Sequence, residues 1–414
     1  MWHSHFLLAT PGTENSVITG QDIVCIAEMD YDSTVWPICR HLMSRLAKAG
    51  NRVLYVESLG LRVPSLLHAA DIRKIARRLR GLVSGRREPE PNLWVIAPRA
   101  LPGHHIVWIR WINRCLLKAQ IRSTMQKLKM QDPLLWIFLP TGVPLVGELG
   151  EKLVIYYCMD EYLANPGVPV EALKVMEDRL VSEADAVLVT APKLLEKFKP
   201  TAKRLAWIPC GVDIDAYQAG IDQSEPAEMK SIPHPRIGFA GNLTGYKVDY
   251  ALLDSLIRSR PQWSFVFMGT MGAGDPSNQI PAFLSYPNVH RLGEKPFEKI
   301  PAFLQSWDAG IIPYRHSATT DAVFPLKLFE YLAAGLPVVS TPLPSLNQYR
   351  EFCFLASDVA SFQSALDRAV KNPGQDAVQR KAYAGKNSWE SRLEQISDFL
   401  TPTLTGSPSI TGKA

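Results

Sequence analysis

Apolar residues fall along this chain in short bursts. Runs of five to nine, such as "DIVCIAEM" (22–29) and "NRVLYVES" (51–58), alternate with longer stretches whose apolar positions recur every three or four residues. The short runs predict strands buried on both faces, and the longer ones predict amphipathic helices. In the first half the predicted strands are 22–29, 51–58, 93–98, 134–140, 152–160 and 186–192, with a helix over 34–50 closed by Gly50. The segment 204–235 breaks the rhythm: it holds Pro209, Gly211, Pro226, Pro233 and Pro235 with weak periodicity, a linker composition. The alternation resumes with strands at 236–243, 264–269, 289–293 and 309–314 and helices at 249–261 and 298–308, then a helix and strand over 324–341 and helices at 358–370 and 388–400. Strand and helix in alternation give an α/β chain of two doubly wound, Rossmann-like domains facing across a cleft. The expected division is a ragged leader at 1–20, an N-terminal domain at 21–212, a linker at 213–234, a C-terminal domain at 235–385, a terminal helix at 386–402 and a disordered tail at 403–414. No internal repeat stands out.

A length of 414 residues suits two cores better than one, and 21% charged residues is a soluble balance. The net charge of +5 is unevenly spread: residues 71–87 carry seven cations against one acid, so the remainder is near neutral. That points to a local partner and not to nucleic acid. Ile72, Ile75, Leu79 and Leu82 lie near helical spacing in this segment, which therefore reads either as a basic amphipathic helix on an anionic membrane or as a solvated helix face. The six cysteines form no CxxC pair and read as reduced, buried thiols. No apolar stretch reaches the ~18–20 residues of a spanning helix, and the first 16 residues lack the regions of a signal peptide.

The candidate chemistry lies at predicted carboxyl strand ends. In "FPLKLFEYLAAGLPVVST" (324–341), Pro325 suits a first helical turn, and Gly335 with Pro337 ends the helix. Lys327 and Glu330 lie one turn apart near its start. Free amides and a lysine there suit a diphosphate, and the carboxylate suits two vicinal ribose hydroxyls. A surface Lys–Glu pair is the plain alternative. Gly238, Gly241 and Gly245 follow one strand, with Lys247 beyond them, and Gly269, Gly272 and Gly274 follow another; glycines there let backbone approach a ligand.

The ordered set "IPCGVD" (208–213), "GFAGNL" (238–243), "PNVHRLGEKPFEKIPAFLQSWDAGIIPYR" (287–315) and "FPLKLFEYLAAGLPVVST" resembles glycosyltransferases of the GT-B fold, of the teichuronic-acid and xanthan glucuronosyltransferase kind. The likeness covers roughly residues 205–400 and extends loosely to "LLWIFLP" and "VIYYCMDEY". It implies a metal-independent enzyme with no cofactor, taking a nucleotide sugar, UDP-linked, as co-substrate. It implies a saccharide acceptor, lipid-linked, and a cytoplasmic protein that can sit at the inner face of the membrane. It gives Glu330 the ribose, Lys327 the diphosphate and the loop at Arg291 and Leu292 the base. Gly241, Lys247, Gly269, Phe324, Pro325 and Tyr331 complete the expected donor site. Many retaining relatives carry a second glutamate eight positions before the first; here that position is Ala322, beside Asp321, which weakens a retaining reading.

An inverting transfer needs a general base in the cleft. Asp160 leads, since the xanthan-type relatives place an aspartate base in this domain; Glu161, Asp30 and Asp32 follow. Each could instead cap a helix or form a turn. Arg40, His104 and His105 are candidate acceptor contacts. "DID" at 213–215 reads as a turn and cap and not as a metal motif. An epimerase on the same fold and a non-catalytic nucleotide-sugar-binding subunit remain open alternatives.

Overall fold

A computed structural model describes residues 17–34, 36–59, 85–99, 101, 106–221, 224–272, 275, 280–371, 373–374 and 376–405. His104 and His105, most of the basic segment at 71–87, most of the leader and the end of the tail lie outside the described residues.

The apolar runs form two sheets. The N-terminal sheet comprises β1 (Asp22–Ile26), β2 (Arg52–Val56), β3 (Arg87–Glu90), β4 (Leu93–Ile96), β5 (Leu134–Ile137), β6 (Leu153–Cys158), β7 (Ala186–Val189) and β8 (Leu205–Trp207). Its order is β3-β4-β2-β1-β5-β6-β7-β8. The C-terminal sheet comprises β9 (Arg236–Ala240), β10 (Ser264–Met268), β11 (Val289–Gly293), β12 (Ala309–Ile312), β13 (Val338–Ser340) and β14 (Cys353–Leu355), in the order β11-β10-β9-β12-β13-β14. Every pairing is parallel except β3 with β4, which is antiparallel. The central strands β1, β5, β6, β7, β9, β10 and β12 are buried throughout, as continuous Val/Ile/Leu runs require when helices cover both faces. The fold is the two-domain α/β arrangement expected.

Local expectations need correction in four places. The first helix starts at Ile38, after Pro37, because proline holds the preceding residues out of helix. The supposed linker contains β8 and a helix at Ile214–Ile221, which Asp213 caps through its carboxylate on the Ala216 amide (3.2 Å). β3 and β14 carry no strong apolar alternation and were not foreseen. Cys115 is exposed, unlike the other five free thiols.

The terminal helix Trp389–Leu404 packs on the N-terminal half. Arg392 donates to the Cys210 carbonyl (3.3 Å), and the Ile18 amide donates to Ser397 (3.1 Å). Trp389 stacks on buried His41 at 5.2 Å, and Phe297 of the C-terminal domain stacks on Trp36 at 5.1 Å and meets the His41 edge. Burial holds His41 well below its ordinary pKa, so the ring is neutral in this aromatic stack. Arg45 closes the rim on Asp213 (3.1 Å) and Glu390 (2.6 Å).

Candidate functional site

The helix carrying Lys327 and Glu330 spans Lys327–Ala333. Pro325 is buried just before it and offers its carbonyl to the Leu328 amide (3.0 Å), so the proline precedes the first turn instead of occupying it. Gly335 ends the helix at φ +83°, a conformation that side chains disfavour. Two turns make a weak macrodipole, so side-chain cations must supply most of the attraction for an anion here. Lys327 lies across Gly241: a Cβ on that glycine would come within 2.6 Å of the Lys327 Cε. The ammonium donates to the Tyr314 hydroxyl (2.9 Å) and faces the Phe239 ring. Lys327 therefore does not form a helical surface pair with Glu330. The half-buried Glu330 carboxylate has no hydrogen-bond partner among the described residues, and burial raises its pKa against the pull of Lys327. A desolvated, unpartnered acceptor beside a cation is complementary to a ligand carrying hydroxyls and negative charge.

Glycines let the surrounding strand ends converge. Gly241 (φ +143°) donates its amide to the Met268 carbonyl (2.7 Å), and Gly269 (φ +128°) donates to the Gly293 carbonyl (2.8 Å). A Cβ on Gly269 would overlap the Gly241 carbonyl, so no side chain fits between these two turns. Leu292 on edge strand β11 packs against the core, while Arg291 is exposed there. Two expected donor contacts are core residues. Phe324 packs at a tilt on Phe329 (5.2 Å) and edge-to-face on Tyr349 (5.7 Å). Tyr331 is buried over Gly310, and its hydroxyl accepts the Ala240 amide (2.9 Å). For Tyr331 this follows from the helix period, which turns it away from its neighbour Glu330, and for Phe324 from the loop before the helix.

Across the cleft, Asp160 follows the carboxyl end of β6. Its Oδ2 lies 3.6 Å from the Lys247 ammonium, and its Oδ1 is buried without a hydrogen-bond partner. The aspartate pushes the Lys247 pKa up. Two residues nearly ninety positions apart in the chain thus meet at facing sheet ends, one from each domain. Glu28, beyond the end of β1, shares this floor. Burial and then the Asp160 charge raise its pKa to about 8, partly offset by the amides of Cys39 and Ile38. Glu28 closes an apolar run in sequence and is followed at the same strand end by Asp30 and Asp32, so local pattern does not single it out.

The other acidic candidates have structural partners. Glu161 caps the Leu163 amide (3.4 Å) and binds Lys197 (2.6 Å), which also binds Glu177 (2.7 Å). This triad removes Glu161 from the free-base candidates. Asp32 is exposed and pairs with Arg87 (2.9 Å), the last residue of the basic segment. Asp30 forms a turn, its carbonyl accepting the Ser33 amide (3.2 Å) and hydroxyl (2.7 Å). Asp32 and Asp30 are therefore turn and rim residues. Arg40 stacks its guanidinium over Trp36 (3.8 Å) and Tyr31 (4.3 Å) and donates to the Tyr31 carbonyl (2.9 Å). Ala322 is buried against the N-terminal core, and Asp321 pairs with Lys193 (3.5 Å) and His316 (3.0 Å). The turn at Ala318–Asp321 docks on the other domain through Thr319, which donates to the Ala164 carbonyl (3.1 Å). Among the described residues no group of three or more His, Cys, Asp or Glu is arranged to hold a metal ion.

With this geometry, residues 234–372 match the family described as glycosyl transferases group 1. The chain is 28% identical over 289 residues to the teichuronic acid biosynthesis glycosyltransferase TuaH of Bacillus subtilis, covering 64% of this chain and 71% of that protein. It is 22% identical over 253 residues to the D-inositol 3-phosphate glycosyltransferase of Corynebacterium jeikeium, covering 55% and 59% respectively. Anabaena HepE in complex with UDP and glucose superposes with a TM-score of 0.64 at 14% identity, over 92% of this chain and 99% of that one. The α,α-trehalose 6-phosphate synthase of Burkholderia multivorans superposes at 0.61 and 13% identity, over 94% and 100%. At such identities the structural likeness speaks to fold.

Proposed function

We propose, from the premise that this chain is a glycosyltransferase of the GT-B fold similar to bacterial polysaccharide enzymes, that it moves a sugar from a UDP-linked donor to a saccharide acceptor carried on a lipid. The observation that carries this reading is a Glu330 carboxylate with no hydrogen-bond partner among the described residues, set near the Lys327 ammonium at converging glycine turns, opposite Asp160. Glu330 accepts hydrogen bonds from the two ribose hydroxyls. Lys327 and Lys247 meet the charge of the diphosphate, and Gly241 and Gly269 leave room for it. The UDP bound to HepE supports UDP as the nucleotide.

Chemistry then falls to the opposite wall. Asp160 takes the proton of the acceptor hydroxyl as that oxygen bonds to the anomeric carbon. The bond from that carbon to the diphosphate oxygen breaks, and UDP leaves with the electron pair. Lys247 is well placed for two duties: it orients Asp160 before the donor arrives, and it stabilises the leaving charge afterwards. With two lysines at the diphosphate, no metal ion is required for that stabilisation. Domain closure expels water and brings hydroxyl and donor into line.

UDP release by purified full-length protein, measured over a panel of UDP sugars with and without lipid-linked saccharide, tests the reading. Release that depends on both partners supports it. Isomerised donor without acceptor, or binding without turnover, replaces it with an epimerase or a binding subunit.

A further inference from the structure

The helix Val107–Leu128 of the N-terminal domain contains a face that its own fold leaves uncovered. Its inner stripe is Ile109, Asn113, Leu117, Ile121 and Met125, at a spacing of four, and all five are buried. The opposite side should be polar if water were its only neighbour. Instead Val107 is 70% exposed, Trp108 62% and Trp111 64%. Trp108 and Trp111 stand one turn apart, so they share a face. Exposed Leu101 is held at the inner stripe: Asn113 accepts its amide (2.7 Å) and donates to its carbonyl (2.8 Å). Single exposed apolar residues are ordinary on a protein surface, but two tryptophans and a valine in the first two turns of one helix form a patch.

The charge around the patch is one-signed. The helix carries Arg110, Arg114, Lys118, Arg122 and Lys127 and no acid. Of nearby acids, Glu148 binds Arg114 and Lys118, offsetting one cation. Exposed indole rings flanked by arginine and lysine suit the headgroup layer of an anionic bilayer, where the rings meet acyl chains and the cations meet lipid phosphates. The position is also informative. A helix that follows a parallel strand begins at the carboxyl end of the sheet, the end where Asp160 meets Lys247, so its first turn lies on the cleft side of the N-terminal domain.

We infer that the first turns of the helix Val107–Leu128, through Trp108 and Trp111 with their flanking cations, dock the protein on an anionic membrane surface. No described helix is long and apolar enough to cross a membrane, so this contact is interfacial. Docking would set the mouth of the cleft against the bilayer. Its link to a lipid-carried acceptor rests on the transfer reading above; the docking itself does not.

Co-sedimentation of the full-length protein with vesicles of phosphatidylcholine alone, or with about 30 mol % phosphatidylglycerol, tests the inference. Binding is expected with the anionic vesicles and not with phosphatidylcholine alone, and it should fall steeply with salt. The Trp108→Ala/Trp111→Ala variant should lose about tenfold or more of that binding, while its melting temperature and its UDP release with a water-soluble saccharide acceptor stay as in wild type. Trp111→Gln alone provides a smaller loss should the double variant fold poorly. Failure of wild type to bind anionic vesicles overturns the inference, as it would if the patch served a protein partner instead. Equal binding by wild type and both variants also overturns it. Intact vesicle binding with no sugar transfer overturns the transfer reading and leaves the docking surface standing.

Discussion

Glu330 illustrates how one carboxylate acquires a binding role from its surroundings. Burial raises its pKa and no described side chain hydrogen-bonds to it, so a ligand's hydroxyls gain an acceptor that water serves poorly. Glu330→Ala should weaken UDP binding about 10- to 100-fold by calorimetry, the scale of one or two hydrogen bonds to a charged acceptor. Asp160→Asn removes the proton acceptor but keeps the shape. Turnover should fall about 10²- to 10⁴-fold while UDP affinity changes little. Glu28 gives a pH signature. Its folded-state pKa of about 8 lies above the ordinary 4.5, so the folded form retains a proton that the unfolded chain has lost in between. Its contribution to stability is present below about pH 4.5 and is lost as pH rises through about 8. Glu28→Gln should therefore flatten the decline in melting temperature between about pH 4.5 and about pH 8.

At the level of elements, the donor wall depends on turns that only glycine can make. Gly241 combines φ +143° with a lysine side chain lying 2.6 Å from where its Cβ would stand. Gly241→Ala must strain the turn and displace Lys327 together. UDP affinity should drop about tenfold or more, with Tm lowered, in thermal-shift titration. The glycines and the lysine are legible in sequence, but their contact is not, because β9 and the helix Lys327–Ala333 are brought together by the sheet order, with β12 between β9 and β13. The same helix shows the opposite error. Phe324 and Tyr331 flank the cleft-facing residues in sequence, yet the turn of the helix and of the loop before it sends them into the core.

For the molecule as a whole, the aromatic stack of Trp36, His41, Phe297 and Trp389 joins the C-terminal domain to the N-terminal one. It is the apolar counterpart of the Lys247–Asp160 contact at the cleft. Phe297→Ala removes the one ring of this stack that the C-terminal sheet domain supplies. UDP affinity should persist, since its proposed contacts lie elsewhere. Turnover should fall about 3- to 10-fold, and the radius of gyration from solution scattering should grow.

The alternation of short apolar runs with amphipathic stretches by itself determined two doubly wound domains, because a strand buried on both faces and a helix with one apolar stripe leave few other ways to pack. It also determined which strand ends carry charge and glycine. It could not decide which of those charges would meet. Asp160 and Lys247, Glu28 and Asp160, and Lys327 and Gly241 are brought together by strand order and domain docking, neither of which is encoded in local spacing. Glu161 and Asp160 are neighbours of the same chemistry at the same strand end. Tertiary structure alone separated them, giving Glu161 to Lys197 and leaving one oxygen of Asp160 buried without a hydrogen-bond partner.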